Sequence, residues 1–511
     1  MYIRKLKNRS GSVSIQIISK IKGRYKVVKT VGCATMWHEI EELEKVAKLE
    51  IKKLTGQQEL FFSEQDRAII SAFNSLNNSN IRTVGPELIF GRIYDYIGLN
   101  TIKEELFRHL VIARLAFPLS KLKTVEYLYR YQGVQLEISS VYRFLDKLNN
   151  QLKEQVEQIV FTHTKKILGG SIGVVFYDMT TLHFEASDED DLRKTGFSKN
   201  GKHQHPQIFL GLLVASGGYV IGYDIYEGNT YEGDTLIPFI ENISNKFQLN
   251  RPVVIADSGL LSKRNIEALE NNGYKYILGA RIKNEKSSIK QQILNQNYSD
   301  GDILSFPKDN NKRLLVSYSV KRAKKDAYNR ERGIKRLEKK VKTGKLTKSS
   351  INNRGYNKFL KLDGEINIGI DYSKVEQDKN WDGLKGYITN TNLSNKEVID
   401  NYKDLWYIER AFRMSKTDLR IRPIYHRLKE RIEAHICISF VAYAIYKELE
   451  RALKLNNSSL SVKKAAELTH NMYEIIYTLP DSKTINSQLL GMDKQQKELY
   501  NIVMNFFRVL Q

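Results

Sequence analysis

The stretch Ile172-Gly173-Val174-Val175-Phe176-Tyr177-Asp178 is an apolar run of strand length that closes on a carboxylate, and Val253-Val254-Ile255-Ala256-Asp257 repeats the pattern further along. Apolar runs without polar alternation suit strands buried on both faces, as in sheets covered by helices. Around them, Gln207 to Val214, Tyr219 to Tyr226 and Tyr274 to Ala280 read as strands. Thr235 to Phe247 and Lys263 to Asn272 read as helices. This alternation predicts an α/β core. Open α/β sheets place ligand-binding side chains where strands run out. Two carboxylates at neighbouring strand ends repel, and a divalent cation between them relieves the repulsion. An Asp after a strand is also an ordinary turn former or helix cap. The two runs by themselves leave both readings open.

Upstream, Val13, Ile15 and Ile17 alternate with polar residues, Lys22-Gly23 supplies a turn, and Tyr25 to Val31 returns as the second arm of a hairpin. Trp37 to Leu54 has a helical apolar side. Residues from about 60 to 165 are helical in pattern. Within them Thr124 to Tyr131, Gln132-Gly133 and Ser139 to Leu148 read as helix, turn, helix. Ser139 is the expected N-cap, and Tyr142, Arg143 and Lys147 would project from the second helix, as they would in a groove-reading pair. An ordinary helical hairpin has the same pattern. Downstream, Val320 to Lys345 holds twelve Lys or Arg against three acids. Such a run is a solvated face or a grip on a polyanion, and Ile334, Leu337 and Val341 hint at a helix with a weak apolar side. Leu384 to Ile388 is a strand, Ser394 with Glu397 is a capping box, and Arg431 to Leu453 is a helix with one core-facing side.

The chain has 511 residues, 41% of them hydrophobic, which excludes a disordered chain and allows three to four domains. Its net charge is +23, which favours nucleic acid as a partner over an anionic membrane. The basic start is followed by no apolar signal segment, and the uncharged stretch Ile208 to Tyr223 is broken by Ser216-Gly217-Gly218, so no membrane span is expected. Two distant cysteines, Cys33 and Cys437, exclude a disulfide framework and suit a reducing cytoplasm.

A third carboxylate, Glu409, lies in Asn401-Tyr402-Lys403-Asp404-Leu405-Trp406-Tyr407-Ile408-Glu409-Arg410-Ala411-Phe412-Arg413-Met414-Ser415-Lys416. At about 100° per residue, Tyr402, Glu409, Arg413, Lys416 and Arg420 share one helical stripe. One carboxylate among cations suits a phosphate backbone bound beside a metal ion, and it equally suits an exposed salt-bridged face. Lys199, Lys202 and His203, between the first two strands, offer cations to phosphates. With no partner Cys or third His nearby, a zinc site is not expected there.

These three segments, in this order, resemble the DDE transposases of bacterial insertion sequences over roughly residues 170 to 450. Tyr177-Asp178-Met179-Thr180-Thr181-Leu182 is similar to the first motif and Ile255 to Ser262 to the second. Leu384 to Thr391, with Tyr402 and Trp406 to Lys416, is similar to the third. The subgroup it resembles carries a β-rich insertion and a Tyr-Arg-Glu-Lys signature, matched here by Tyr402, Glu409 and Lys416. Leu405 stands at the Arg position, which leaves Lys403, Arg410 or Arg413 to take over its phosphate contact. The resemblance implies a ribonuclease H-like catalytic core, at 166–284 and 381–455, interrupted by a basic, β-rich insertion at 285–380. Before the core come an N-terminal hairpin and helix (1–60) and a helical DNA-binding region (61–165), and after it a C-terminal helical region (456–511).

It also implies catalysis by Asp178, Asp257 and Glu409 holding two Mg²⁺ ions, with Mn²⁺ able to substitute. The implied partner is double-stranded DNA: the terminal inverted repeats of the element, and target DNA. The protein is expected to act as a homodimer on DNA, in the cytoplasm of a bacterium at its nucleoid. Two alternatives remain open at this point: a ribonuclease H-like nuclease or resolvase that cuts without joining, and a non-catalytic DNA-binding protein derived from a transposase.

Overall fold

Ile15 and Ile17 leave the same side of one strand and are fully buried, and the N-terminal unit is built on them. The structure is a computed structural model. It describes all residues except 22, 56–63, 75, 77–79, 186–187, 197–203, 309–310, 345, 364–366, 480–481, 483 and 509–511, together with the side chains at 37–38, 64–65, 67–68 and 72. The chain divides into two compact units, Met1–Asn80 with Ile476–Ser487, and Ile81–Ile475 with Gln488–Gln511.

In the first unit β1 (Tyr2–Lys7), β2 (Val13–Ile21) and β3 (Arg24–Ala34) form an antiparallel meander, and α1 (Trp37–Leu54) lays Ala47 and Leu43 against it. The hairpin and α1 follow the sequence pattern. β1 does not, because it is a mostly exposed edge strand held by backbone pairing rather than by an apolar face. Helix α2 spans Glu64–Asn74.

The second unit opens with β4 (Ile81–Thr83), α3 (Arg92–Ile97), α4 (Glu105–Ala116), α5 (Lys121–Gln132), α6 (Ile138–Lys147) and α7 (Lys153–Ile167). The helix, turn, helix reading gives α5 and α6, with Gly133 at φ 70° closing α5. The cap differs from expectation. Glu137 is the last extended residue and α6 already winds at Ile138, so Ser139 lies inside the first turn.

The central sheet takes β5 (Val174–His183), β6 (Gln207–Ala215), β7 (Val220–Glu227), β8 (Val253–Ala256) and β9 (Tyr276–Ala280), with α8 (Leu236–Phe247) and α9 (Lys263–Asn271) between them. After α10 (Ser287–Leu294) come β10 (Ile303–Pro307), β11 (Arg313–Tyr318), α11 (Val320–Lys342), the pair β12 (Leu360–Asp363) and β13 (Asn367–Ile370), α12 (Tyr372–Lys379) and β14 (Leu384–Thr389). The order across the eight-stranded sheet is β10-β11-β14-β9-β8-β5-β6-β7. Only β5, β8 and β9 run parallel to one another; every other neighbouring pair is antiparallel.

Period two explains how both faces are filled. Val175, Tyr177, Val254, Tyr276 and Leu278 pack with Phe239 and Ile240 of α8 and Leu269 of α9. Phe176, Ile255 and Ile277 face the other way, into the core formed by α13 (Asn395–Lys403), α14 (Trp406–Thr417) and α15 (Lys429–Leu455). α15 is buried along most of its length, and α16 (Val462–Thr469) and α17 (Lys494–Phe506) pack against it. Among the described residues no helix is long and apolar enough to cross a membrane.

The basic run forms α11, a 23-residue helix that is not wholly solvated. Its buried Arg330 makes a bidentate pair with Asp382, at 2.5 Å to each oxygen, and Asp326 accepts the Gly383 amide at 3.2 Å. These contacts fix the turn that leads into β14.

Candidate active site

The register of the sheet sets two carboxylates side by side. Tyr177 of β5 pairs with Ala256 of the parallel strand β8, so Asp178 and Asp257 each come one residue after that pair. Neighbouring strands lie about 4.8 Å apart. Asp178 shares the parity of Phe176, and Asp257 that of Ile255, so both are on the face that α13 and α14 cover. Asp178 is half-buried, and its Oδ1 accepts the Met179 amide at 2.8 Å. Asp257 caps a short 3₁₀ turn, its Oδ1 accepting the Ser258 amide at 2.6 Å. The capping role and membership of the pair thus coexist in one side chain.

Glu409 stands exposed in the first turn of α14. That helix lies across β5: Tyr407 meets Phe176 edge-on at 6.3 Å between ring centres, and Lys416 Nζ donates to the Thr180 hydroxyl. Tyr402, Glu409 and Lys416 do not, however, lie on one continuous helix as the periodicity suggests. α13 ends at Lys403 and α14 starts at Trp406. At the junction the amides of Leu405, Tyr407 and Ile408 bond three residues back, to Tyr402, Asp404 and Leu405. This tighter winding shifts the angular phase between Tyr402 and Glu409. Arg420 lies beyond α14, in the left-handed region at φ 45°.

Tyr402 is buried and its hydroxyl donates to Asp257 Oδ1 at 3.2 Å. Burial, and then the Asp257 charge, push its phenol pKa far up, so it stays a donor. Its reach depends on Gly279 of β9. A Cβ there would lie 2.4 Å from the Tyr402 oxygen. Lys385 of β14 places its ammonium 4.5 Å from the Tyr402 ring centre. Burial and Arg322 lower the Lys385 pKa, while Asp257 and Glu409 pull it back up, so this cation senses both carboxylates. Neither Gly279 nor Lys385 was marked by a sequence signal of its own. Lys385 sits within the third motif, but only the fold brings it to Asp257.

Of the cations expected at DNA, Arg413 is exposed on α14, and Lys403 is exposed and paired with Asp400 at 2.8 Å. Arg410 is turned toward α15, in an ion pair with Glu450, with its guanidinium 5.6 Å from the Trp406 ring centre. Arg143 and Lys147 are exposed on α6, Lys147 pairing with Glu104. Lys199, Lys202 and His203 lie outside the described residues. Leu405 is 8% exposed and points into the core.

Among the described residues no three His, Cys, Asp or Glu side chains converge closely enough to hold one metal ion together. The donor chemistry nevertheless fits a hard cation. Asp178 and Asp257 offer adjacent carboxylates, with Glu409 on the helix that crosses the same strand.

The family described as the transposase DDE domain matches residues 169–445, a span that holds the sheet core, both aspartates, Glu409 and most of α15. The chain belongs to the DDE transposase family. It is therefore a DNA transposase, an enzyme of DNA cleavage and strand transfer, and enzymes of this family depend on divalent metal. Among solved structures it is similar to a piggyBac transposase synaptic complex with hairpin DNA, at 11% identity and a TM-score of 0.38, covering 75% of this chain and 76% of that one. Two Mos1 complexes are also similar. One is the paired-end complex with the left transposon end, at 12% identity and a TM-score of 0.16 over 31% of this chain and 53% of that one. The other is the mariner paired-end complex with Mn, at 13% identity and a TM-score of 0.15 over 31% and 54%. No curated protein matches the chain.

Proposed function

We propose that Asp178, Asp257 and Glu409 are the catalytic carboxylates of this transposase, set on a ribonuclease H-like core. The observation that carries the reading is the register: the aspartates follow one strand pair on adjacent parallel strands, beneath the helix that bears Glu409. The strand order β7-β6-β5-β8-β9, with the first three antiparallel and the last three parallel, supports the core assignment.

The oxygen-only donors favour Mg²⁺, with Mn²⁺ able to replace it. When bound between the carboxylates, the two ions would activate the attacking water or DNA 3′-hydroxyl and stabilise the leaving oxygen. The protein's own part is positioning. Tyr402 and the Ser258 amide hold Asp257 in one rotamer, so it need not reorganise when DNA arrives. Lys416, held at Thr180 two residues from Asp178, supplies positive charge to the phosphate being cut. Lys385 would do the same from the Asp257 side. Arg413, Lys403 and Arg420 extend the grip along the strand, and Arg143 and Lys147 offer a second contact.

The substrate would be the inverted repeats that end the element, followed by joining of the 3′ ends to target DNA. The N-terminal unit and the helices α4 to α7 would supply end recognition. Two ends must be handled together, so the working form would be a homodimer on DNA, acting at the nucleoid in a bacterial cytoplasm. With net charge +23, binding should weaken steeply as salt rises.

The test is strand cleavage and joining on a linear DNA carrying the repeats that flank the reading frame, with Mg²⁺, with EDTA and with Asp257→Asn. Metal-dependent cuts at the repeat boundary and joined products, all lost in the variant, are expected. Cleavage that survives in Asp257→Asn would remove that residue from the mechanism.

A further inference from the structure

A cavity of about 570 Å³ lies between the start of α5, α6 and the segment that leaves α14. Its titratable lining includes Arg114, Lys121, Arg420, Arg422, His426 and His435, and among the described residues no carboxylate lines it. Arg114, Lys121 and His435 are only 5%, 6% and 6% exposed. Among the described residues Arg114 reaches no acid, only the Leu419 carbonyl at 3.5 Å, and His435 Nε2 meets the Ile421 carbonyl at 3.0 Å. Lys121 makes no ion pair or hydrogen bond with the described residues. Arg422 Nη1 and His435 Nδ1 are also buried without a hydrogen-bond partner among the described residues. Arg431, whose guanidinium covers the Tyr142 ring that lines the cavity, has an acid of its own, pairing with Asp146 at 2.8 Å.

Buried ammonium and guanidinium groups without a counter-charge are costly, and their desolvation pushes Lys121 well below, and Arg114 below, the usual pKa. A fold that gathers several such groups around open space, at the first turn of a twelve-residue helix, has the electrostatics of an anion site. The volume is in the range of sites that enclose a small molecule rather than a lone ion. Tyr142, Tyr425 and Pro118 give it apolar walls on which a sugar or base can rest.

We infer that this cavity is a phosphate-binding site that takes one nucleotide-sized phosphate, either a backbone phosphodiester of DNA or a free phosphate. It is separate from the carboxylate pair yet tied to the same strand. The Ile424 amide donates to the His183 carbonyl at 3.4 Å, five residues beyond Asp178 on β5. A DNA strand held here would therefore enter the cleavage site at a fixed offset.

The test uses the full chain. Melting temperature is followed with inorganic phosphate against chloride at equal ionic strength, for the parent and for Lys121→Met, Arg422→Met, Asp257→Asn and the surface control Lys342→Met. Phosphate should raise the melting temperature of the parent, Asp257→Asn and Lys342→Met. It should have little effect on Lys121→Met and Arg422→Met. Lys121→Met without phosphate should melt no lower than the parent, because an unpaired buried charge has gone. Equal shifts in all five proteins, or none in the parent, would overturn the site without touching the catalytic assignment. A labelled duplex then separates the sources. At least a tenfold loss of duplex affinity in Lys121→Met identifies a DNA phosphate as the occupant, whereas unchanged duplex affinity with the phosphate response lost identifies free phosphate.

Discussion

Leu405→Arg restores the residue expected at this point of a Tyr-Arg-Glu-Lys type signature, and the structure predicts that the restoration is harmful. Leu405 is in the core at the junction of α13 and α14, in the same apolar cluster as the buried Val398, Ile408 and Phe412. Removing it gives up about 1.5–3 kcal/mol of burial. Its replacement then carries a guanidinium into the same apolar surroundings, at a further cost of several kcal/mol unless the junction opens. The sum, roughly 5 kcal/mol, is comparable to the whole stability of many domains. A drop in melting temperature of about 6 °C follows for a unit of this size, at about 2.1 cal/mol/K of unfolding entropy per residue. Leu405→Met keeps volume and polarity and should cost less than about 1.5 kcal/mol. Thermal and urea melts of the two variants, with single-turnover cleavage on whatever remains folded, make the comparison. An arginine variant that melts like the parent and cleaves faster would refute the reasoning, since the guanidinium would then have to reach the DNA side.

Other substitutions test the site at separate points. Asp178→Asn and Asp257→Asn should abolish cleavage while leaving DNA binding and the melting curve near those of the parent; binding lost in step with cleavage would point to misfolding instead. Tyr402→Phe removes a hydrogen bond to a carboxylate worth about 1.5–3 kcal/mol, so single-turnover cleavage should fall roughly 10- to 100-fold. An unchanged rate would mean that Asp257 needs no such support. Gly279→Ala should give a similar loss, because its Cβ would come 2.4 Å from the Tyr402 oxygen, and adding Tyr402→Phe to it should cost little more. Additive losses would separate the two residues. Lys385→Met removes a cation that senses Asp257 and Glu409, so half-maximal cleavage should need several-fold less Mg²⁺ while DNA affinity falls. A metal requirement that rises would show that Lys385 does not compete for the carboxylates.

Local sequence carried the parts of this fold whose signal is local. β5 and β8 are legible because both faces are buried, which forces continuous apolar runs. Asp257 follows the end of β8 as the run predicts, whereas β5 continues to His183. Residues past Asp178 go on pairing with β6, so Asp178 lies within the strand. The pairing of the two aspartates is one step less local, since it depends on β8 lying parallel to β5 in the register that matches Tyr177 with Ala256. The stripe through Tyr402, Glu409 and Lys416 assumes uninterrupted winding, and the three-residue hydrogen bonds around Leu405 break that assumption without any Pro or Gly to announce it. Gly279 and Lys385 gain their importance only from the fold, one by leaving room for a side chain 123 positions away and the other by facing residues from two different elements. The basic run shows the same limit from the other side. Its charge count describes a solvated face, but Arg330 is buried and clamps Asp382, while Asp326 holds the amide of Gly383. Those two residues immediately precede β14, the strand that carries Lys385. Helix α11 therefore does more than offer a charged face: it fixes the entry of the strand whose lysine senses the Asp257 carboxylate, which couples that helix mechanically to the candidate site.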